Sequence, residues 1–280
     1  MLTVEQQQAR QNGIGASECA AVLGISPYCT PYELWLVKTG RAPKEDILTE
    51  SRVRLRHAHE ETIAREYAIQ KNVKLRRVNK TLYHKKMPFM LCHLDRVVIG
   101  ENRIVECKSS MSWMKSVWGD IGTDNVPMDY IAQVQHQYAC SRYTEADMAV
   151  LIDTDDFRIY HIPRDEDVIK TIEEKVEHFW RYHVLEDNSP EPTTRGDIKL
   201  MFPSNNGNFI EACPESVTLI NEINARKSII KATENMQDEM EVKLLKIIGE
   251  NDGIKDENEV LVTYLADKNG KRTLRIKKRS

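Results

Sequence analysis

His93-Leu94-Asp95, followed by Ile104-Val105-Glu106-Cys107-Lys108, is the stretch on which both fold and chemistry turn. An acid sits late in an apolar, strand-like run over residues 89–99. An acid-x-lysine lies on the next run, residues 103–108, and the intervening Gly100-Glu101-Asn102 suits a hairpin turn. Alternate residues of a strand share a face, so Glu106 and Lys108 project together, and a hairpin brings Asp95 alongside them. Two converging carboxylates bind a hard divalent cation such as Mg²⁺, which takes oxygen ligands and keeps water. A lysine beside them orients or helps deprotonate an attacking water, a kit suited to phosphodiester hydrolysis. Acid-x-lysine is also an ordinary surface pattern. The apolar Ile104, Val105 and the strand before Asp95 argue for the edge of a buried sheet over a solvated hairpin.

Working outward, Ser17 is placed to cap a short apolar helix at Ala20-Ala21-Val22-Leu23, with Glu18 at its positive end. Pro31 suits the first turn of a second helix that stops at Gly40. A charged helix is expected over residues 50–70, with Leu55, Ile63, Ala64 and Tyr67 as apolar positions, then a strand over 73–83. Beyond Lys108 come a helix at 130–140, a strand pair at 148–152 and 157–162, and an amphipathic helix marked by Val168, Ile169, Ile172, Val176, Phe179 and Trp180. Proline and polar residues between 185 and 208 read as a linker or crossing loop. A long helix is expected at 214–249, then a hairpin of 259–266 and 272–278 about Asn269-Gly270. These readings divide the chain into a core (1–188), a linker (189–213) and a C-terminal extension (214–280).

The 280 residues carry 40 Lys+Arg against 43 Asp+Glu, a formal net charge of −3. That balance argues against coating nucleic acid through bulk charge, while leaving room for a local basic groove. No apolar run reaches the roughly 18–20 residues of a membrane helix, and the N-terminus lacks a signal-peptide layout, so an intracellular, membrane-free protein is expected. Six dispersed cysteines (Cys19, Cys29, Cys92, Cys107, Cys140 and Cys213) form no CxxC pair and read as reduced, mostly buried thiols.

Five ordered blocks resemble one family. They are Gly13-Ile14-Gly15-Ala16-Ser17-Glu18 with Leu23-Gly24-Ile25-Ser26-Pro27-Tyr28; Glu60 with Ile63-Ala64-Arg65-Glu66-Tyr67; Asp95; Glu106-Cys107-Lys108; and Gln133-Val134-Gln135-His136-Gln137. Over about residues 8 to 185 the chain resembles the YqaJ-like viral recombinases, relatives of the phage lambda exonuclease in the PD-(D/E)xK nuclease superfamily. The resemblance implies a restriction-endonuclease-like α/β fold, a mixed central sheet flanked by helices. It implies Mg²⁺-dependent 5′→3′ exonuclease action on double-stranded DNA ends, leaving 3′ single strands for recombination, with two ions and Mn²⁺ as a substitute. Asp95 and Glu106 would be metal ligands with the Cys107 carbonyl, Lys108 would position the nucleophilic water, and Glu60 would support the second ion. Gln133 would contact the water or the substrate. Arg10 and Ser17 would hold the DNA 5′-phosphate, as a guanidinium and a hydroxyl at a helix start are suited to do. A homo-oligomer, a phage single-strand annealing protein as partner, and the cytoplasm of a bacterial host follow from the same likeness. Leu94 replaces the superfamily's proline, and Arg56 and Glu61 depart from its helical pattern, leaving Glu60 against Glu61 open, with the register of Ile63-Ala64-Arg65 favouring Glu60.

Two rival readings remain: an endonuclease or structure-specific nuclease with the same metal site, and a non-catalytic DNA-end-binding module. His57, His59, His84, His93 and His136 are too scattered for a transition-metal site and read as polar surface or DNA-facing residues. Trp113 and Trp118 either stack on unpaired bases or pack a loop, and residues 108–115 form a candidate rim. Lys271, Arg272, Arg275, Lys277, Lys278 and Arg279 either grip phosphates or protect an edge strand. The 214–249 helix is a candidate partner-binding or self-association element.

Overall fold

The computed structural model describes residues 4–42, 51–257 and 259–277, and the side chains of Arg56 and His57 fall outside the described set, as do Glu50, Lys278 and Arg279. The chain divides into two units, residues 1–204 and 205–280. Among the described residues no helix is long and apolar enough to cross a membrane.

The first unit begins with α1 (Val4–Gln11), the two-residue strand β1 (Ile14–Gly15), a 3₁₀ turn (Ala16–Glu18) and α2 (Cys19–Val22). α3 (Pro31–Lys38) starts in a reciprocal cap. Thr30 Oγ1 accepts from Glu33 N (3.0 Å) and the Glu33 carboxylate accepts from Thr30 N (2.8 Å). Next come α4 (Ser51–Lys71), β2 (Leu75–Tyr83), β3 (Met90–Val98), β4 (Arg103–Ser110), a 3₁₀ segment (Ser112–Val117), α5 (Met128–Cys140), β5 (Glu145–Ile152) and β6 (Asp156–Pro163). α6 (Glu166–His178) runs into a π-helical turn (Phe179–Leu185).

The sheet is mixed. β4 pairs parallel with β5 over eight positions, Arg103↔Glu145 to Ser110↔Ile152, and α5 makes the crossover between them. β5 and β6 are antiparallel, as are β2 and β3, and β3 and β4. Strand periodicity sorts the side chains onto two covered faces. Ile104 and Met148 pack in one core with Ala132 and Val134 of α5 and Ile169 and Ile172 of α6. Val105 and Ala149 pack in a second core with Ile63 and Tyr67 of α4.

The arrangement around β3 creates the opening that becomes the site. Leu91 pairs with both Tyr83 of β2 and Gly15 of β1, and Val97 pairs with both Arg76 of β2 and Ile104 of β4. A strand has two edges, so β1 and β4 must share the edge opposite β2. β1 reaches only Met90 and Leu91, and β4 only Arg96 and Val97. Residues 92–95 therefore lie in a gap between two strands on one edge. Gly13 fixes the near side of this gap. A Cβ there would come within 2.3 Å of the Phe89 carbonyl oxygen, to which Ile14 N donates.

The stretch read as a linker is only partly one. It contains α7 (Arg195–Met201), whose start is capped by Thr194, and Asp197 is fully buried, accepting from Thr30 Oγ1 at 2.7 Å. The signal for it, the four-residue capping box Thr194-x-x-Asp197, follows directly on Pro190 and Pro192, which masked it. In the second unit, α8 (Pro214–Ile248) precedes β7 (Gly253–Lys255), β8 (Val260–Ala266) and β9 (Arg272–Ile276). The expected hairpin is β8–β9, and β7 adds a third strand along β8. Cys19, Cys92 and Cys140 are buried, Cys29 and Cys107 partly so, and Cys213 is exposed.

Candidate active site

At the fork where β3 and β4 part, continuing the ladder would set Asp95 opposite Glu106. Backbone pairing stops at Arg96↔Val105 instead, and the Asp95 carboxylate accepts from Cys107 N at 2.9 Å. Glu106 is buried at 3% exposure, and both of its oxygens are engaged. Oε1 accepts from Gln133 Nε2 (2.6 Å) and pairs with Lys108 Nζ (2.9 Å), while Oε2 accepts from Gln137 Nε2 (2.7 Å). Gln133 and Gln137 are one helical turn apart on α5, which aims both amides at the same carboxylate. Gln133 Oε1 in turn accepts from Lys108 Nζ at 2.8 Å, closing a ring of Glu106, Lys108 and Gln133. The Tyr130 ring lies 4.8 Å from the same ammonium.

Charge in this cluster is crowded. Burial, then the carboxylates of Glu106 and Glu60, push the Asp95 pKa well above its ordinary value. Burial works against the charge of Lys108, but Glu106 and Asp95 outweigh it and hold the ammonium above the usual lysine value. Burial and the same acids keep the Cys107 thiol protonated. The group is a crowded acid pair beside one lysine whose charged form those acids favour.

Glu60 and Glu61 of α4 are both held by Arg96, a buried guanidinium next in sequence to Asp95. Arg96 Nη1 donates to Glu60 (2.5 Å) and to the Asp95 carbonyl (2.6 Å), and Nη2 donates to Glu61 (2.9 Å). Arg77 also binds Glu61, at 2.6 Å. Of the two glutamates, Glu60 is the one whose charge reaches Asp95.

The chain's own residues fit a hard cation in part. Asp95 and Glu106 supply oxygen donors with surplus negative charge, the kind of set that Mg²⁺ takes when water and a phosphate complete its shell. Among the described residues, however, no three His, Cys, Asp or Glu side chains converge to hold an ion. Glu106 is wrapped by Lys108, Gln133 and Gln137, and Glu60 is drawn to Arg96.

Arg10 and Ser17 meet on the β1 side of the gap. Arg10 Nη2 donates to Ser17 Oγ at 2.7 Å. The N-cap expected of Ser17 is not formed: α2 has Glu18 at its cap position without a side-chain bond, and Ser17 lies inside the preceding 3₁₀ turn. Glu18 instead accepts from Gly15 N (2.8 Å) and Lys38 Nζ (2.9 Å) and stands 3.6 Å from Arg10. Burial opposes its charge, but Arg10 and Lys38 outweigh that and hold its pKa below the usual value. His93, two residues before Asp95 on β3, is half-buried against Thr81 (3.0 Å). Burial and then the Arg10 charge lower its pKa to about 4.

The other histidines part company. His136 is fully buried, with its Nε2 3.0 Å from the Leu91 carbonyl, so it is a core residue and not a surface or DNA-facing one. His84 pairs with Glu173 at 3.2 Å, and His59 is exposed. The tryptophans split as well. Trp118 is buried, stacked between Tyr130 and Tyr160, whereas Trp113 is 77% exposed on the 3₁₀ segment after β4. Lys115, at the end of the proposed rim, is tied to Asp156 at 2.8 Å. In the tail, Arg272 covers Tyr264 and bonds the Gly249 and Asn251 carbonyls, and Lys277 pairs with Glu259. Arg272 and Lys277 are thus engaged within their own unit.

Arg96 was not singled out by sequence, and Gln137, though part of the quoted Gln133–Gln137 block, was given no role there. Gln137 sits four residues from Gln133 in a run of alternating glutamines, which is the signal that would have found it. At the far ends of β4 and β5, sequence also missed a cavity of about 480 Å³. In its lining, buried Asp147 binds Tyr67 Oη (2.6 Å), Arg103 (2.8 Å) and His161 (2.9 Å).

A family profile described as the YqaJ-like viral recombinase domain matches residues 5–145, which span α1 to the start of β5 and carry every candidate site residue. The chain belongs to that family. A curated relative, the uncharacterized protein YqaJ of Bacillus subtilis (strain 168), is 34% identical over 183 residues. The match takes in 65% of this chain and 56% of that relative, so the chain spans little more than half of its length. The fold is that of an alkaline exonuclease from Laribacter hongkongensis, at TM-score 0.53 and 20% identity over 66% of this chain and 94% of that one. The same exonuclease in complex with dAMP also aligns at TM-score 0.53, with 21% identity.

Proposed function

We propose that this YqaJ-family chain is a Mg²⁺-dependent 5′→3′ exonuclease on double-stranded DNA, leaving 3′ single strands for phage-type recombination. The observation that carries this reading is the gap on β3, which has the acid–lysine cluster at one end and the Arg10–Ser17 pair at the other. A phosphate held by Arg10 and Ser17 would leave the next phosphodiester facing Asp95 and Glu106. The family membership and the exonuclease fold support the same reading.

In it, Asp95 and Glu106 would hold the cation with the Cys107 carbonyl. When bound, the ion neutralises phosphate charge and acidifies a water. Lys108, fixed by Gln133 and Tyr130, orients the attacking water and stabilises charge gathering on the phosphate. Gln137 keeps the Glu106 carboxylate from rotating, and Gln133 turns Lys108 toward the phosphate. The donor set favours one ion, since Glu60 must leave Arg96 to serve a second. Mn²⁺ would substitute. A DNA end is the substrate, the protein acts as a homo-oligomer in the cytoplasm of a bacterial host, and a phage single-strand annealing protein takes up the product.

The test incubates linear and closed circular duplexes with the protein and Mg²⁺. Loss of linear DNA alone, with 5′-labelled nucleotides released first, is expected. Cutting of circles would mean an endonuclease, and no metal-dependent cleavage of either would mean an end-binding module. Arg10→Ala should in addition abolish the preference for 5′-phosphorylated over 5′-hydroxyl ends, a difference of at least about tenfold given the strength of charge-assisted phosphate bonds. Equal rates on both ends in the unaltered protein would remove Arg10 and Ser17 from the phosphate role.

A further inference from the structure

Between Glu66 and Asp95 the chain carries no acid, yet seven lysines and arginines fall there, from Lys71 to Lys86, in a protein of formal net charge −3. All seven are exposed. They lie on β2 and its two flanks. β2 is an edge strand: among the described residues it pairs with β3 and with no other strand. Arg76 bonds the Tyr143 hydroxyl at 3.2 Å and Arg77 binds Glu61. None of Lys71, Lys74, Lys80, Lys85 and Lys86 has an acid partner among the described residues. Lysines and bulges do guard a free edge against pairing with another chain, and β2 has two breaks in register. Guarding leaves part of the pattern unexplained. Lys71 ends α4, and Lys85 and Lys86 lie in the loop past β2, where there is no edge to guard.

The strip is placed by the same strand that frames the site. β2 follows β3 from Leu75↔Val98 to Tyr83↔Leu91, so it runs the full length of the gap at residues 92–95, on the opposite edge of β3. Two strand spacings, about 10 Å, separate the strip from the strands that bound the gap. We infer that the β2 strip holds the unpaired 3′-ended strand of the DNA, its phosphates on the lysines of residues 71–86, while the 5′-ended strand occupies the gap. The inference rests on the exonuclease reading above. As the 5′-ended strand is shortened in the gap, its complement loses its pairing partner there, and the strip lies alongside. A row of charges one strand wide matches one phosphate backbone and not the two of a duplex. Tyr83, 48% exposed at the end of β2, and Tyr143 beside Arg76 offer rings to unpaired bases. Lysines without acid partners bind phosphates at no cost in broken ion pairs, and the counterions this frees make the binding depend on salt.

The test measures binding of fluorescein-labelled dT20 to the full-length chain by anisotropy, in EDTA so that nothing is cut. The triple variant Lys74→Gln, Lys80→Gln, Lys85→Gln is expected to bind at least about tenfold more weakly, with the slope of log K against log salt reduced by about two. A control triple on other elements of the first unit, Lys170→Gln, Lys175→Gln, Lys199→Gln, makes the same change in net charge and should bind as the unaltered protein does. Equal loss in both triples would mean bulk charge, and no loss in the first would mean that the lysines only guard the edge. Closed circular duplex that displaces dT20 as well as single strand does would make this a duplex surface. Polyglutamate doing so would point to an acidic protein partner. Each of these outcomes overturns the assignment. With Mg²⁺ added, the first triple should release the first nucleotides from a blunt duplex at the unaltered rate and fall behind as the overhang grows. Slowing from the first nucleotide would again place the lysines on the duplex. If the unaltered protein cuts nothing, the exonuclease reading fails, while the result in EDTA still decides whether the strip binds single strands.

Discussion

A Lys108→Met protein is expected to lose metal-dependent DNA cleavage by roughly 10²–10⁴-fold, the range over which positioned proton-transfer and charge-stabilising groups act. It should also be less stable, by about 3 kcal/mol, because methionine leaves the buried Glu106 without the cation 2.9 Å away. Gln133 and Gln137 still donate to that carboxylate, so folding should survive. Single-turnover cleavage and thermal melting measure the two effects together. Normal cleavage by the variant would sink the role given to Lys108, and unchanged stability would mean that the Glu106 pair contributes little.

The second large effect runs the other way in stability. Asp95→Asn should lower cleavage at least about a hundredfold while raising Tm at neutral pH, because it removes a charge that burial and the neighbouring acids disfavour. The amide oxygen can still accept from Cys107 N. The sign follows from linkage. The folded pKa of Asp95 lies above the unfolded one, so its contribution to stability is full below about pH 4 and is lost as pH rises through the raised value. Mg²⁺ should restore part of that loss in the unaltered protein and none in the variant, since a ligand bound only to the folded form stabilises it. A Tm that falls in Asp95→Asn, or that responds to Mg²⁺ equally in both proteins, would remove Asp95 from the cation site.

Much of the fold was legible because its elements obey local rules. The alternating run of β3, the Gly100-Glu101-Asn102 turn, the apolar face of α6 and the Asn269-Gly270 hairpin are each written within a dozen residues. What was not legible depends on residues far apart. β7 is three residues long and exists as a strand only because β8 lies beside it. α7 owes its place to the Thr30–Asp197 bond, which spans most of the first unit. At the candidate site the acids and the lysine could be read from spacing on adjacent strands. The hold of Arg96 on Glu60 could not, because it joins a strand to a residue of the preceding helix 36 positions earlier. Ser17 shows the reverse error: a hydroxyl just before an apolar run reads as a cap, but it lies inside a 3₁₀ turn and accepts from Arg10 instead.

The single bond from Asp95 to the amide of Cys107 has a consequence for observation. That amide proton is held by a side chain whose charge varies, whereas its neighbours in β4 are held by the fixed dipoles of the sheet. Its nitrogen and proton chemical shifts will follow the ionisation of Asp95 and the arrival of a cation there. One cross-peak of an isotope-labelled sample thus serves as a built-in gauge of the site, readable without substrate and without cleavage.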